Sequence, residues 1–160
     1  MTLTPCKLAF VSHQSLTQVL RRCPRVGDVL WRDTLIDAAI FREWMIGIGR
    51  RSAYTRIAHV LCEVFMRLRA VGLTNGYECE FPITQNEIGD ALGLSTVHVN
   101  RSLKELRGHR LIELQKGSLT VVNWDGLKKA GEFDPTYLHL SRGLIQVHSV
   151  VTATRARAAM

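Results

Sequence analysis

This chain of 160 residues has no long apolar run and no export signal. Its most apolar stretch, residues 29–48, is interrupted by five charged side chains, too many for a segment that faces lipid. Its start, MTLTP, lacks the basic region and the apolar core of a signal peptide. We therefore expect a cytoplasmic protein with no membrane partner.

Motifs for metal binding and catalysis are also missing. The four cysteines form no C-x-x-C pair, and no histidine lies at zinc-finger spacing. The histidines are scattered, without an H-E-x-x-H motif or a Ser/Asp partner pattern, and the chain has no phosphate loop. We therefore expect no metal site and no enzymatic activity, with the cysteines as free structural thiols.

The chain does have an excess of positive charge and ample material for a core. Lys and Arg number 21 against 14 Asp and Glu, which gives a net charge of +7. Such an excess indicates a polyanionic partner only where the charges gather at one site. Hydrophobic residues make up 46%, which excludes disorder of the whole chain and suits one domain with a helical appendage.

The first segment predicts elements that lack a partner. Residues 7–12 (KLAFVS) have the pattern of a short strand, and residues 13–23 have the pattern of an amphipathic helix that Pro24 ends. A single strand cannot satisfy its own backbone groups. The segment is therefore interpreted as the end of a larger unit.

Residues 27–50 carry one long helical pattern, for which Asp28 is the expected N-cap. Its apolar face is wider than one contact needs, because a second stripe that includes Ile40 and Trp44 lies beside the first. The helix is either a core helix of one domain or a helix that packs on its own domain and on a second subunit. The candidate dimer stripe consists of Trp31, Leu35, Ala38, Phe41, Met45 and Ile48.

Ser52 is the predicted N-cap of a second helix, which ends near Ala70. Glu63 and Arg67 are expected to form an i,i+4 pair on the surface of this helix. A short strand is predicted over residues 77–83.

A helix-turn-helix is predicted after this strand. A T-x-x-E capping box at Thr84 opens a short helix. Gly89 supplies a small residue where two helices approach, Gly93 a turn residue, and Val99 an apolar seal on the second helix. Ser95 is the predicted N-cap of that second helix.

The helix after Ser95 has one apolar face and one face rich in hydrogen-bond donors. The donor face suits a major groove, because Arg forks onto guanine, Asn pairs with adenine, and the methyl groups of Thr and Val contact thymine. The predicted base-reading residues are Thr96, Val97, Asn100, Arg101 and Lys104.

A β-hairpin is predicted over residues 111–122, with QKGS as its turn, and it would form a wing beside the recognition helix. Basic residues gather around this site, which favours double-stranded DNA as the partner over a module that binds only protein. The predicted phosphate contacts are Thr84, Gln85, Ser95, His98, Lys116 and Ser118.

These segments resemble the C-terminal half of the Crp/Fnr family of bacterial transcription regulators, over about residues 12–140. The most specific match is FPITQNEIGDALGLSTVHVNRSLKEL at residues 81–106, with the hairpin after it. REWMIGIGRR at 42–51 is similar to the family's join between dimer helix and DNA-binding domain, and EFDPTYLHL at 132–140 is similar to the tail of some members. The resemblance implies a homodimer through the long helix, with RNA polymerase as a further candidate partner.

By position, Arg101 matches the family's base-reading Arg, and Ser95 matches the residue at the start of its recognition helix. Thr96 and Val97 stand where the cyclic AMP receptor protein has Arg and Glu, so its operator is not carried over. The Gly-rich, Arg-containing phosphate cassette and the iron–sulfur cysteine cluster of family members are both missing. The resemblance therefore implies no effector pocket and no cofactor here.

The expected fold is mainly α with a small β-hairpin. We expect the remnant of an N-terminal sensor domain over residues 1–27, a dimerisation helix over 28–50, a winged helix-turn-helix domain over 51–140 and a flexible tail over 141–160. The expected function is a sequence-specific, DNA-binding transcription regulator that acts as a homodimer without a cyclic-nucleotide pocket. The alternative is a truncated interaction module that heterodimerises with a full-length relative and modulates it. The chain is expected to be either a truncated reading frame or a sensorless variant.

Overall fold

The computed structural model describes residues 5–140, and the expectation of a flexible tail over 141–160 lies outside them. The helices are α1 (His13–Arg22), α2 (Pro24–Arg50), α3 (Ala53–Ala70), α4 (Gln85–Leu92), α5 (Thr96–Gly108) and α6 (Trp124–Ala130), followed by a 3-10 helix (Pro135–Leu138). The strands β1 (Thr74–Asn75), β2 (Glu78–Glu80), β3 (Ile112–Gln115) and β4 (Ser118–Val121) form an antiparallel sheet in the order β1-β2-β4-β3. The fold is thus mainly α with a small sheet, as predicted. Between residues 5 and 140, no helix is both long and apolar enough to cross a bilayer.

Two predictions about the start of the chain are wrong. Residues 7–12 form no strand and are exposed. A strand needs a neighbouring strand to pair with its backbone groups, and these residues have none between residues 5 and 140. Asp28 is not an N-cap, since α2 already begins at Pro24. Proline suits the first helical position, where its missing N–H would have no partner and its fixed φ is already helical.

The core of the winged domain forms where α3 crosses α5. Val99, Leu103 and Leu106 of α5 are all buried, as the pattern predicted. They pack in one cluster with residues of α3 that include Leu61 and Phe65. Because this face of α5 is fully buried against α3, the opposite face of α5 points to solvent.

The turn between α4 and α5 depends on two glycines. Gly93 ends α4 with φ at 62°, a left-handed conformation that favours glycine. A Cβ on Gly89 would lie 2.7 Å from the carbonyl oxygen of Leu94, and its nearest other contact would be the side chain of Val99. The predicted close approach of the two helices is thus confirmed.

We expect Gly89→Ala to lower the free energy of unfolding by about 1–3 kcal/mol, because the added methyl group meets backbone that cannot yield. The matched control is Gly108→Ala in α5, where an added Cβ meets nothing within 4 Å. That substitution should be neutral or stabilise the protein by up to about 1 kcal/mol. Urea denaturation of both variants measures the difference, and equal effects would contradict the packing argument.

The predicted surface position of Glu63 is wrong, because this side chain is only 2% exposed. Its carboxylate accepts hydrogen bonds from Nε1 of Trp44 at 3.0 Å and from the hydroxyl of Tyr137 at 2.7 Å. Arg67 still bonds it from the exposed side at 3.3 Å. The prediction failed because α2 and the 3-10 helix, both remote in sequence, cover this turn of α3. The buried carboxylate joins the long helix to the winged domain.

His59 lies beside Glu63 and is 3% exposed. Its Nδ1 donates to the carbonyl of Gly131 at 3.0 Å, and its Nε2 lies 3.0 Å from the hydroxyl of Tyr137. Burial and, less strongly, the positive charge of Arg51 lower the pKa of His59, and together they outweigh the Gly131 carbonyl and the carboxylates of Glu43 and Glu63, which raise it. The lowered pKa favours the neutral imidazole, whose Nε2 then competes with Glu63 for the single hydroxyl proton of Tyr137.

The stability of the protein is expected to fall as the pH drops below about 6.5, the ordinary pKa of histidine. Between that value and the lower pKa of the folded protein, the unfolded chain binds a proton at residue 59 that the folded chain does not yet bind, so the loss is up to about 1.4 kcal/mol per pH unit. Urea denaturation at several pH values checks this. The control is His59→Asn, whose amide can still donate to Gly131 but does not titrate. The expectation fails if both proteins lose stability with the same dependence on pH.

Candidate nucleic-acid interface

The start of α4 is fixed by a complete capping box. Thr84 Oγ1 accepts from the backbone N–H of Glu87 at 3.3 Å, and the backbone N–H of Thr84 donates to Oε2 of Glu87 at 2.8 Å. The backbone N–H and the hydroxyl of Thr84 lower the pKa of Glu87. The hydroxyl of Thr84 also donates to the carboxylate of Glu87 at 2.8 Å, so its proton is already used in a hydrogen bond within the protein.

The predicted base-reading residues lie together on the outward side of α5. Thr96, Val97, Arg101 and Lys104 are exposed, Val97 by 72%, and Asn100 is half-buried. Polar groups and one apolar group are therefore presented on a convex surface, as a major groove requires.

Two side chains at the start of α4 hold two of these residues. Nδ2 of Asn100 donates to Oε1 of Gln85 at 3.2 Å, and Oγ1 of Thr96 donates to Oδ1 of Asn86 at 3.2 Å. Asn86 is not among the site residues predicted from the sequence. Its only signal is a polar amide in the first turn of the helix that precedes the recognition helix.

Ser95 is the N-cap of α5, as predicted, since its Oγ accepts from the backbone N–H of His98 at 3.4 Å. The same oxygen lies 3.0 Å from Nδ1 of His98. Both side chains are exposed at the end of the helix where backbone N–H groups point outward. This end of α5 is suited to an anion.

The wing is the hairpin of β3 and β4, as predicted. Lys116 and Gly117 occupy its turn with φ of 49° and 79°, the left-handed conformation that a type I′ hairpin turn needs at both positions. The side chain of Lys116 is exposed at the tip. Ser118 differs, because its hydroxyl donates to Oε1 of Glu78 on the neighbouring strand at 2.8 Å.

The basic residues near α5 and the wing are exposed, as are the two acidic residues among them. The basic set consists of Arg101, Lys104, Arg107, Arg110 and Lys116, and the acidic set of Glu105 and Glu113. On α5 and the hairpin of β3 and β4 the positive charges exceed the negative ones, which favours a polyanion there, whereas the neighbouring strand β2 carries the exposed Glu78 and Glu80.

Among residues 5–140, no group of three or more His, Cys, Asp or Glu is placed to hold a metal ion. Burial raises the pKa of Cys62 to about 12 and also raises that of Cys79, so both side chains stay neutral thiols. They lie in the hydrophobic core and pack as small apolar groups.

Comparison with known proteins agrees with this geometry. The family model of the Crp-like helix-turn-helix domain matches residues 55–130, which run from α3 to α6 and include the wing. Residues 55–130 form a Crp-like helix-turn-helix domain of the Crp/Fnr family. Domains of this type bind DNA in transcription regulators, and α4, the turn at Gly93 and α5 all lie within the matched residues.

Two curated relatives contain a similar region. The transcriptional activator protein FnrL of Cereibacter sphaeroides is 33% identical over 101 residues, which cover 61% of this chain and 41% of FnrL. A probable transcriptional activator of Rhizobium leguminosarum bv. viciae is 25% identical over 112 residues, 70% of this chain and 46% of that protein. The chain thus matches less than half the length of either relative.

Solved structures show the same architecture. The structure of FixK2 from Bradyrhizobium japonicum matches with a TM-score of 0.67 and 25% identity, over 75% of this chain and 59% of FixK2. A structure of CooA from Carboxydothermus hydrogenoformans matches with a TM-score of 0.63 at 16% identity, over 74% of this chain and 54% of CooA. The likeness to CooA concerns the fold alone.

Proposed function

We propose that this protein is a sequence-specific, DNA-binding transcription regulator of the bacterial cytoplasm, and that it acts as a homodimer. The observation that carries the proposal is the outward face of α5, where exposed Arg101 lies among polar side chains above a fully buried contact with α3. A rigid helix with such a face fits the major groove and reads bases there.

Each residue of that face has a proposed role. Arg101 forks onto a guanine, and Asn100 pairs with an adenine. Thr96 and Val97 contact bases near the start of the helix, where Val97 offers its methyl groups to a thymine. Lys104 supplies a further positive charge one turn beyond Asn100.

Ser95, His98 and Lys116 are the proposed phosphate contacts, since all three are exposed at the start of α5 or at the tip of the wing. Gln85, the first residue of α4, is a further proposed phosphate contact. The hydroxyl protons of Thr84 and Ser118 are donated within the protein, so any contact from those two oxygens would be as acceptors of water-mediated bonds.

The surface of α2 supports the proposed homodimer. Its Ile40 and Trp44 pack against the core of the winged domain. A second set of large apolar side chains on α2 is exposed by half or more, which is costly in water and suits a twin helix. This set, the exposed stripe, consists of Trp31, Leu35, Phe41, Met45 and Ile48, with the half-buried Ala38 among them.

Binding-site selection with the purified protein tests the proposal. We expect a pseudo-palindrome to be enriched, because a two-fold dimer presents two recognition helices about 34 Å apart. Affinity for the selected site should fall steeply as salt rises and should not change when cyclic AMP is added. Enrichment of no sequence, or binding that ignores salt, would refute the proposed function.

A further inference from the structure

Two hydrogen bonds join α5 to α4, and their donors are side chains that we propose to face the major groove of DNA. Gln85 and Asn86 are the first two residues of α4, and each accepts from a residue of the recognition helix. Gln85 accepts from Asn100 at 3.2 Å, and both side chains are half-buried. Two of the base-reading side chains are thus oriented by α4 before DNA arrives.

The bond to Gln85 leaves Asn100 with the groups that adenine needs. The amide of Asn100 has two N–H groups and one carbonyl oxygen. Gln85 takes one N–H, which leaves the second N–H for N7 of adenine and the carbonyl for its N6 amino group. An amide without this partner rotates among orientations in which nitrogen and oxygen exchange places, and it then loses that selectivity.

The hydrogen bond from Thr96 to Asn86 likewise decides which groups remain to contact a base. Because the hydroxyl proton of Thr96 is donated to Asn86, its oxygen can only accept from DNA. Adenine and cytosine present amino donors in the major groove, whereas guanine presents only acceptors there. The start of α4 therefore sets the hydrogen-bond polarity of a second position on α5.

From this geometry we infer that Gln85 is a specificity-determining residue, which holds the amide of Asn100 in the orientation that reads one base pair. The inference rests on the proposed function and assigns Gln85 a role in sequence selectivity beyond a phosphate contact. It predicts that selectivity at one base pair depends on a residue outside the recognition helix.

The test compares Gln85→Ala with Gln85→Glu. A carboxylate can only accept, so it keeps the bond to Asn100, whereas its negative charge weakens any approach to phosphate. The base pair that Asn100 reads is first identified as the one at which Asn100→Ala loses its preference. Affinities are then measured for operators that carry each of the four base pairs at this position, and thermal unfolding confirms that each variant folds.

We expect discrimination of about tenfold or more at this position in the parent protein, and its loss in Gln85→Ala. Discrimination at the base pair read by Arg101 should be unchanged. The double variant Gln85→Ala/Asn100→Ala should lose no further selectivity, because the two residues act as a unit. Gln85→Glu should keep the preference while its affinity for all four operators falls.

Two results would overturn the inference while the proposed function stands. In the first, Gln85→Ala weakens all four operators equally with the preference intact, as loss of a phosphate contact would. In the second, Asn100→Ala retains every base preference of the parent protein. A parent protein without any sequence preference would overturn both the inference and the proposed function.

Discussion

Replacing Phe41 with Lys is expected to convert the proposed dimer into a monomer and to lower the affinity of the protein for a palindromic operator by about two to four orders of magnitude. Phe41 is 71% exposed and lies within the exposed stripe of α2. In a contact between two α2 helices the Phe41 ring would be buried from water, which stabilises the contact. The ammonium group of a lysine at this position would be buried without a partner, which is costly. Two half-sites then cease to be bound as one unit.

Sedimentation velocity and operator binding measure these two effects. The matched control is Asp33→Asn, which also raises the charge of the exposed part of α2 by one but lies outside the exposed stripe. It should remain dimeric with full affinity. Affinity of Phe41→Lys for an isolated half-site should match that of the parent protein. A variant that stays dimeric would show that this stripe is not the interface.

Arg101→Ala is expected to lose about 1–3 kcal/mol of binding free energy at each half-site, and so roughly 30-fold or more over a whole operator. Arg101→Lys should lose most of this selectivity as well, because an ammonium group lacks the planar fork that matches guanine. Its affinity for random DNA should stay close to that of the parent protein, since the charge is kept.

The control for Arg101 is Lys129→Ala, which removes the same charge from an exposed position on α6. Titration of selected and random duplexes at one salt concentration gives the ratio of specific to non-specific affinity for each protein. We expect that ratio to fall for both Arg101 variants and to hold for the control. An unchanged ratio in Arg101→Ala would show that another face of the protein reads the bases.

The recognition unit was predictable from sequence because its signals are local. The capping box at Thr84, the glycines of the turn, and the buried face of α5 each depend on residues within one or two helical turns. The hairpin turn at Lys116-Gly117 is local too. Such patterns can be recognised without knowing which segments, distant in sequence, pack against them.

Apart from the strand over residues 7–12 and the N-cap at Asp28, the failures concern contacts between distant segments. Glu63 was assigned to the surface because its neighbours in α3 gave no sign of the Trp44 and Tyr137 side chains that cover it. The bond between Gln85 and Asn100 was missed for a similar reason, since the crossing of two helices decides which side chains meet. A polar residue in the first turn of a helix is equally consistent with a phosphate contact.

Hydroxyl-radical footprinting on the selected operator maps where the two α5 helices of the proposed dimer meet DNA. We expect two protected patches on one face of the duplex, centred about one helical turn apart. Arg101→Ala should weaken both patches together. Protection that is uniform along the duplex, or confined to a single patch, would contradict a dimer that reads two half-sites through α5.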